Sequence, residues 1–171
     1  MAISFRNDIL PLKDRLYRLA LRITLNPAEA EDVVQETMIK VWNRRDNWEA
    51  IDNMETFCLT ICRNLAVDKT RHMGNQTLSF EEIDSSTTVN AHLSTFNSPE
   101  EQTIQRDRIQ LVRRLISQLP EKQRSCMQLR DFESKSYKDI ATILDITEEQ
   151  VKINIFRARQ TIREQFKKAD K

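Results

Sequence analysis

One glycine, Gly74, and four prolines are all that this 171-residue chain offers a turn-rich fold. An all-β sandwich or barrel consumes many more such residues, so that class is excluded. No apolar run is long enough to span a bilayer. Arg6, Asp8, Lys13 and Asp14 interrupt any apolar core that a signal peptide would need. The chain is therefore expected in the cytoplasm, with no membrane insertion of its own. Cysteine is scarce: Cys58, Cys62 and Cys126 suit a reducing compartment. Cys58 and Cys62 stand one helical turn apart. They read as small buried apolar residues or, with His72 or His92, as metal ligands. Their spacing is not the tight pairing of structural zinc sites, so no metal is expected. No phosphate-binding glycine loop and no paired nucleophile and base occur, which argues against an enzyme and gives no reason to expect a cofactor. Dimerisation heptads are absent too, so the free chain should be a monomer.

What is present is helical. Leu, Ile, Arg, Glu and Gln recur at helical spacing, which predicts an all-α fold. The formal charge of +1 conceals an uneven distribution. Residues 1–71 carry 11 basic and 11 acidic side chains, and residues 72–100 carry four acids and no Lys or Arg. Residues 101–171 carry 16 basic against 11 acidic side chains, a net of +5. Such asymmetry points to an anionic partner for the last third.

The most informative stretch runs from Ser134 to Phe166. Tyr137, Ile140, Ala141 and Leu144 form one apolar stripe, with Ser136 as N-cap and Asp139 at the position of a capping partner. Asp145 tolerates the left-handed backbone of a tight turn. Thr147 then offers a second cap with Gln150 as its reciprocal partner. Val151, Ile155, Ala158, Ile162 and Phe166 make a second stripe. Two short capped helices so arranged read as a helix-turn-helix, the second being the reading helix. Its outer face carries Glu149, Ile153, Phe156, Arg157 and Gln160, flanked by Gln150, Lys152, Arg159 and Arg163. Ile153 and Phe156 can meet thymine methyls, and Arg157 can read guanine or grip phosphate. The alternative is that Phe156 packs on a neighbouring helix.

Upstream, Leu12, Leu16, Leu19, Ala20 and Ile23 line a helix or helix pair over residues 5–25. Asn26, Pro27 and Glu29 predict a fresh start, with Asn26 as cap, proline in the first turn and Glu29 as reciprocal acid. On the helix from Pro27 to Asn43, Val34, Met38, Val41 and Trp42 are assigned to a core. Asp32, Gln35, Glu36 and Lys40 form a polar face, either solvated or a docking surface for a large partner. A polar loop with Trp48 at its middle follows, and Asp52 or Asn53 caps the next helix. Met54, Phe57, Cys58, Ile61 and Leu65 are its expected buried stripe. Asn64, Asp68 and Arg71 recur beside it with Arg63 and Lys69, either as ordinary cations at a helix end or as contacts to phosphate and bases. Residues 73–98 lack basic side chains and are rich in Ser, Thr and Asn, the composition of a flexible linker. Ser98, Pro99 and Glu101 begin a second helical unit. Ile104, Ile109, Leu111, Val112, Leu115 and Ile116 are the apolar positions of its first helix, and Leu119-Pro120 breaks it.

Taken together, the chain resembles a bacterial RNA polymerase sigma factor of the extracytoplasmic-function (ECF) subfamily. Residues 30–42, AEDVVQETMIKVW, are similar to that family's polymerase-binding helix, and residues 54–71 to the helix that opens and reads the minus-ten element. The stretch from Ile116 to Ile162 is similar to the minus-thirty-five-reading domain. The resemblance implies two small helical domains joined by a flexible linker, the second a four-helix domain containing the helix-turn-helix. Residues 1–72 would be the region-two-like domain, 73–98 an acidic linker and 99–171 the region-four-like domain. It implies core polymerase contacts at Asp32, Gln35, Glu36 and Lys40, and minus-ten contacts at Arg63, Asn64, Asp68, Lys69 and Arg71. The loop Arg44 to Asn53 would hold a flipped base. Minus-thirty-five contacts would fall to Arg124, Lys138, Gln150, Lys152, Ile153, Phe156, Arg157 and Arg159, with Arg124, Lys138 and Arg159 at phosphates. The linker would thread the polymerase's RNA exit channel or act as a plain tether. The implied partners are core RNA polymerase, promoter DNA and a membrane-bound anti-sigma protein. The chain departs from the family's common pattern at Phe57-Cys58, Asp145, Ile153 and Asn154, so the promoter sequence does not carry over.

Overall fold

The computed structural model describes residues 2–73 and 99–169, with the side chains of residues 72, 73 and 99 left aside. Residues 74–98 of the assigned linker, with its acidic thread and the cap at Ser98, lie outside the described residues, as do the candidate ligand His92 and the side chain of His72. Among the described residues the regular structure is entirely helical. A π turn at Phe5–Ile9 and a 3-10 turn at Leu10–Leu12 lead into α1, Lys13–Thr24. Then follow α2, Pro27–Asn43, a 3-10 turn at Arg45–Ala50, and α3, Met54–Met73. The second half contains α4, Pro99–Ser117, α5, Glu121–Met127, a π turn at Gln128–Phe132, α6, Tyr137–Leu144, and α7, Glu148–Ala169.

Local chemistry explains most of these boundaries. Leu25 turns left-handed (φ 56°) and closes α1. The Asn26 side chain accepts from the Glu29 amide at 3.2 Å, and Pro27 fills the first turn of α2. Glu29 is not the reciprocal acid that the sequence suggests. The Asn26 amide donates instead to Thr24 Oγ1 at 3.3 Å, and the Glu29 carboxylate turns to Lys69. Asn53 rather than Asp52 caps α3, accepting from the Thr56 amide at 3.0 Å.

Helices α1, α2 and α3 pack pairwise into a bundle. Its core holds Leu16, Leu19, Ala20 and Ile23 of the expected stripe, while Leu12, in the 3-10 turn before α1, is half-buried. Two other expected stripes are out of phase. On α2 the buried residues are Ala30, Val33, Val34, Thr37 and Val41, while Trp42 is exposed and Met38 only half-buried. Trp42 lies edge-on to Phe5 and Trp48 and under the Arg45 guanidinium at 4.6 Å. On α3 the buried line is Thr56, Cys58, Leu59, Cys62 and Ala66, which leaves Phe57, Ile61 and Leu65 half-buried at its margin. The expected polar loop is a 3-10 turn whose Trp48 is buried and donates Nε1–H to the Val41 carbonyl at 2.9 Å.

In the second half, α7 packs against α4, α5 and α6. Ile116, Leu119, Met127 and Ala158 make a small core of their own. Ile104, expected among the apolar positions of α4, is exposed. The larger core does not stop at the domain boundary. Cys126, Leu129, Ile140, Ile143 and Leu144 belong to the same buried cluster as Leu16, Leu19 and Cys62. Helix α5 lies against α1, and α6 against α3.

Candidate nucleic-acid interface

The helix-turn-helix forms as its residues dictate. Ser136 Oγ accepts from the Asp139 amide at 3.0 Å and starts α6. Asp145 adopts the left-handed conformation, φ 55° and ψ 51°, and the Ile146 amide closes on the Ala141 carbonyl at 3.1 Å. Both halves of the next capping box are made. The Gln150 amide donates to Thr147 Oγ1 at 3.1 Å, and the Thr147 amide donates to Gln150 Oε1 at 2.9 Å. Val151, Ile155 and Ala158 are buried beneath α7. That phase forces Lys152, Ile153, Phe156 and Arg157 outward, all exposed. Phe156 is 67% exposed and Ile153 47%, so the reading helix presents a bare apolar step beside basic side chains. Lys152 sits over the Tyr137 ring at 5.5 Å, which joins the two helices of the motif.

Other expected contacts to this element are less available. Arg124 is 9% exposed, its Nη1 donates to the Ser117 carbonyl at 3.3 Å, and its Nε is buried without a partner. Burial holds its pKa below the ordinary arginine value despite Glu121 nearby. It is a structural residue of the α4–α5 junction in this conformation, not an outward phosphate contact. Arg159 is exposed but forks onto Asp131, with Nε 3.2 Å from Oδ2 and Nη2 on Oδ1, and this hydrogen bonding raises its pKa. Gln150 spends its carbonyl oxygen on the cap. Lys138 is exposed at the start of α6.

On α3, Asn64, Asp68 and Arg71 lie exposed along one side. Arg63 is turned inward, with Nη2 3.5 Å from Glu121 Oε2 and its Nε buried without a partner. Lys69 bridges to α2, its Nζ 3.5 Å from both Glu29 and Glu36. Burial opposes the lysine charge, but the two carboxylates outweigh it and raise the pKa. The expected minus-ten set thus divides into three outward residues and two that serve the fold.

On α2, Asp32, Gln35 and Lys40 are exposed and Glu36 is half-buried. Sequence reasoning missed Ile39. It lies among these residues on the polar face and is 59% exposed. The available signal was an apolar residue at a polar position of the helical period. All three cysteines are buried free thiols, and burial pushes each up to about 12. Cys62 donates to the Leu16 carbonyl at 3.3 Å. Among the described residues no group of three or more potential ligands is placed to hold a metal ion. No described helix is long and apolar enough to cross a membrane.

Comparison with known proteins places these surfaces in a family context. The Sigma-70 region 2 profile matches residues 9–75, and the Sigma-70, region 4 profile matches residues 109–162. The RNA polymerase sigma-H factor of Pseudomonas aeruginosa is 33% identical over 162 residues, covering 91% of this chain and 83% of that one. The ECF RNA polymerase sigma factor SigW of Bacillus subtilis is 27% identical over 158 residues, covering 91% and 84%. Among solved structures, the sigma factor RpoE of Bartonella quintana, in complex with the anti-sigma factor NepR, superposes with a TM-score of 0.71 at 25% identity and 98% coverage of both chains.

Proposed function

The chain belongs to the sigma-70 family, in its extracytoplasmic-function branch, and from that premise we propose how its surfaces divide the work. It is a sigma factor: it binds core RNA polymerase, directs it to particular promoters and helps to melt the minus-ten element. It acts as a dissociable specificity subunit, with no bond-making chemistry of its own. Its place of work is the cytoplasm, with the polymerase and DNA.

The domain limits that fit are residues 1–72 for the polymerase and minus-ten functions, and 99–171 for the minus-thirty-five function. The α2 face carries the docking: Asp32, Gln35, Glu36 and Lys40 surround Ile39, an apolar anchor within a polar rim, the layout of an interface hot spot. On α3, Asn64, Asp68 and Arg71 contact the minus-ten strand directly, and Arg63 and Lys69 join them on release from their carboxylates. Melting begins when one base leaves the stack and is held by the protein, at a cost of a few kcal/mol. On α7, Lys152, Ile153, Phe156 and Arg157 meet the minus-thirty-five bases, while Lys138 and, once free of Asp131, Arg159 meet phosphates. Phosphate contacts position the protein, and base contacts specify the sequence. Binding of an anti-sigma protein, as in the Bartonella quintana complex, is proposed for this chain too.

The observation that carries this reading is the exposed Ile153–Phe156 step on a helix whose opposite face buries Val151, Ile155 and Ala158. Run-off transcription tests it, with purified core polymerase and a library of genomic promoters. Specific transcripts should appear only when the protein is added. Specific duplex binding by the protein alone, without such transcripts, would favour a helix-turn-helix repressor or activator instead.

A further inference from the structure

Lys152 opens the outward face of α7, and its own helix offers it two acidic partners. Glu148 lies four residues before it and Glu149 three, the spacings at which a carboxylate and a lysine meet on a helix. Lys152 takes neither. Among the described residues it makes no ion pair, and its Nζ stands over the Tyr137 ring of α6, 5.5 Å from the centroid. The same ring carries a second cation. The Arg130 guanidinium lies over it at 4.3 Å, and Arg130 Nη1 donates to the Lys135 carbonyl at 2.9 Å. Tyr137 is half-buried against the core, while Lys152 and Ile153 beside it are exposed. An arginine anchored on the backbone thus steadies the ring, and the ring steadies the lysine.

That support changes what the lysine can do. A lysine side chain carries much rotamer freedom, and ordering it on DNA costs entropy. A mobile ammonium suits a phosphate, which asks for charge and carries no sequence information. Reading a base asks for a fixed direction, because the donor must meet one edge in the major groove. The negative face of the Tyr137 ring attracts the ammonium and turns it toward α6 before DNA arrives. Lys152 stays exposed there, so its N–H groups remain available. An ammonium only donates, and guanine presents two acceptors, O6 and N7, on its major-groove edge. Arg157 supplies the contrast. It is exposed on the same face and leans on no ring among the described residues.

We propose that Tyr137 is a positioning residue for promoter reading: its ring holds Lys152 in the direction that selects guanine at one base pair of the minus-thirty-five element. The proposal deepens the reading of α7 given above and rests on the assignment of Lys152 to base edges. The selectivity depends on the face of the ring and not on its hydroxyl.

The test uses holoenzyme, assembled with purified core polymerase, and a promoter library randomised across the minus-thirty-five element. Sequencing the bound fraction gives the base preference at each position. Lys152→Ala should remove a guanine preference at one pair. Tyr137→Leu should weaken that same preference about two- to fivefold, the size of one exposed cation–π contact. It should leave in place the preference that Arg157→Ala removes. Tyr137→Phe should keep both. Leucine preserves apolar contact with the core, and urea unfolding checks that the domain stays folded. Phenylalanines carrying successively more ring fluorine at position 137 give a second measurement. Their size barely changes while the negative face fades, so the guanine preference should fall stepwise. Full preference in Tyr137→Leu, or a flat fluorine series, would overturn the positioning role. An equal loss at every position in Tyr137→Leu would overturn it too, since that is the mark of a loosened domain. Lys152→Ala tests the underlying assignment separately: binding weakened evenly across all sequences would place Lys152 on phosphate, whatever the Tyr137 variants show.

Discussion

Replacing Phe156 by alanine separates the DNA-facing reading of α7 from its structural alternative. The ring is 67% exposed, although α7 has a buried face one residue away at Ile155. A phenylalanine side chain offers about 200 Å², so roughly 135 Å² of apolar surface faces solvent. At about 25 cal/mol per Å², covering all of it would contribute ~3 kcal/mol. A groove covers one side of the ring, which halves that to ~1.5 kcal/mol, or about tenfold in promoter affinity. Truncation leaves no internal cavity, so unfolding free energy should move by less than about 0.5 kcal/mol. Ile155→Ala supplies the contrast: it opens a cavity and should cost about 2–5 kcal/mol of stability. Urea unfolding measures the stabilities, and holoenzyme binding to promoter DNA at fixed salt measures the affinity. If Phe156→Ala unfolds as early as Ile155→Ala while promoter affinity stays unchanged, the ring is packing on protein and the reading of α7 is wrong.

Ile39→Asp should weaken core polymerase binding by roughly 30-fold, the ~2 kcal/mol of a hot-spot residue, and leave the unfolding midpoint in place; equal binding by pull-down titration would remove Ile39 from the interface. Asp32→Arg combined with Gln35→Ala should abolish polymerase binding while the second domain still binds DNA, and retained polymerase binding would refute the docking face. Thr147→Ala removes the Oγ1 that accepts from the Gln150 amide, leaving the Thr147 amide's bond to Gln150 Oε1, and should cost about 1 kcal/mol, read as a lower urea midpoint with an unchanged slope. The three thiols titrate near 9.0 when unfolded and near 12 when buried. The native state therefore holds protons that the unfolded state releases, so their contribution to stability is complete below pH 9 and is lost as pH rises toward 12. Urea midpoints across that range should fall more steeply than in Cys62→Ala, and a thiol reagent at pH 8 should label the chain only after denaturation.

Caps and turns were legible because they are decided within four residues. Asn26, Ser136, Asp145 and the Thr147–Gln150 pair each do locally what their chemistry requires. The buried stripe of α7 was legible for a related reason: one face is apolar, the other charged. Helices α2 and α3 were harder. Both carry apolar residues around more than half their circumference, so periodicity alone admits more than one phase. On α2 the sequence favours Trp42 as core, yet Ala30 and Thr37 are the residues small enough for close helix packing. On α3, Cys62 and Ala66 take the centre and the larger Phe57, Ile61 and Leu65 are displaced to the margin. Close approach of α1, α2 and α3 favours small side chains at the contact, and volume overrides hydrophobicity there.

The junction between the halves could not be read from the sequence because charge carries much of it. Arg15, Arg18 and Arg22 recur along α1 at intervals of three and four, which reads as a solvated face. Glu133 and Lys135 fall in a segment with no apolar period, which reads as a loop. Nothing within a few residues of either segment records that they meet across more than 100 positions. The apolar part of the junction is hidden in the same way: Leu129, Ile140 and Ile143 satisfy the pattern of a self-contained second domain, yet they share their core with Leu16 and Cys62 of the first. A domain that recognises DNA alone needs no such sharing. The junction therefore joins a shared apolar core to arginine–carboxylate pairs at its margin, Arg18 with Glu133 and Arg15 and Lys135 with Glu55. Charged residues at intervals of three and four on α1, and a loop segment without an apolar period, hide that margin in the sequence.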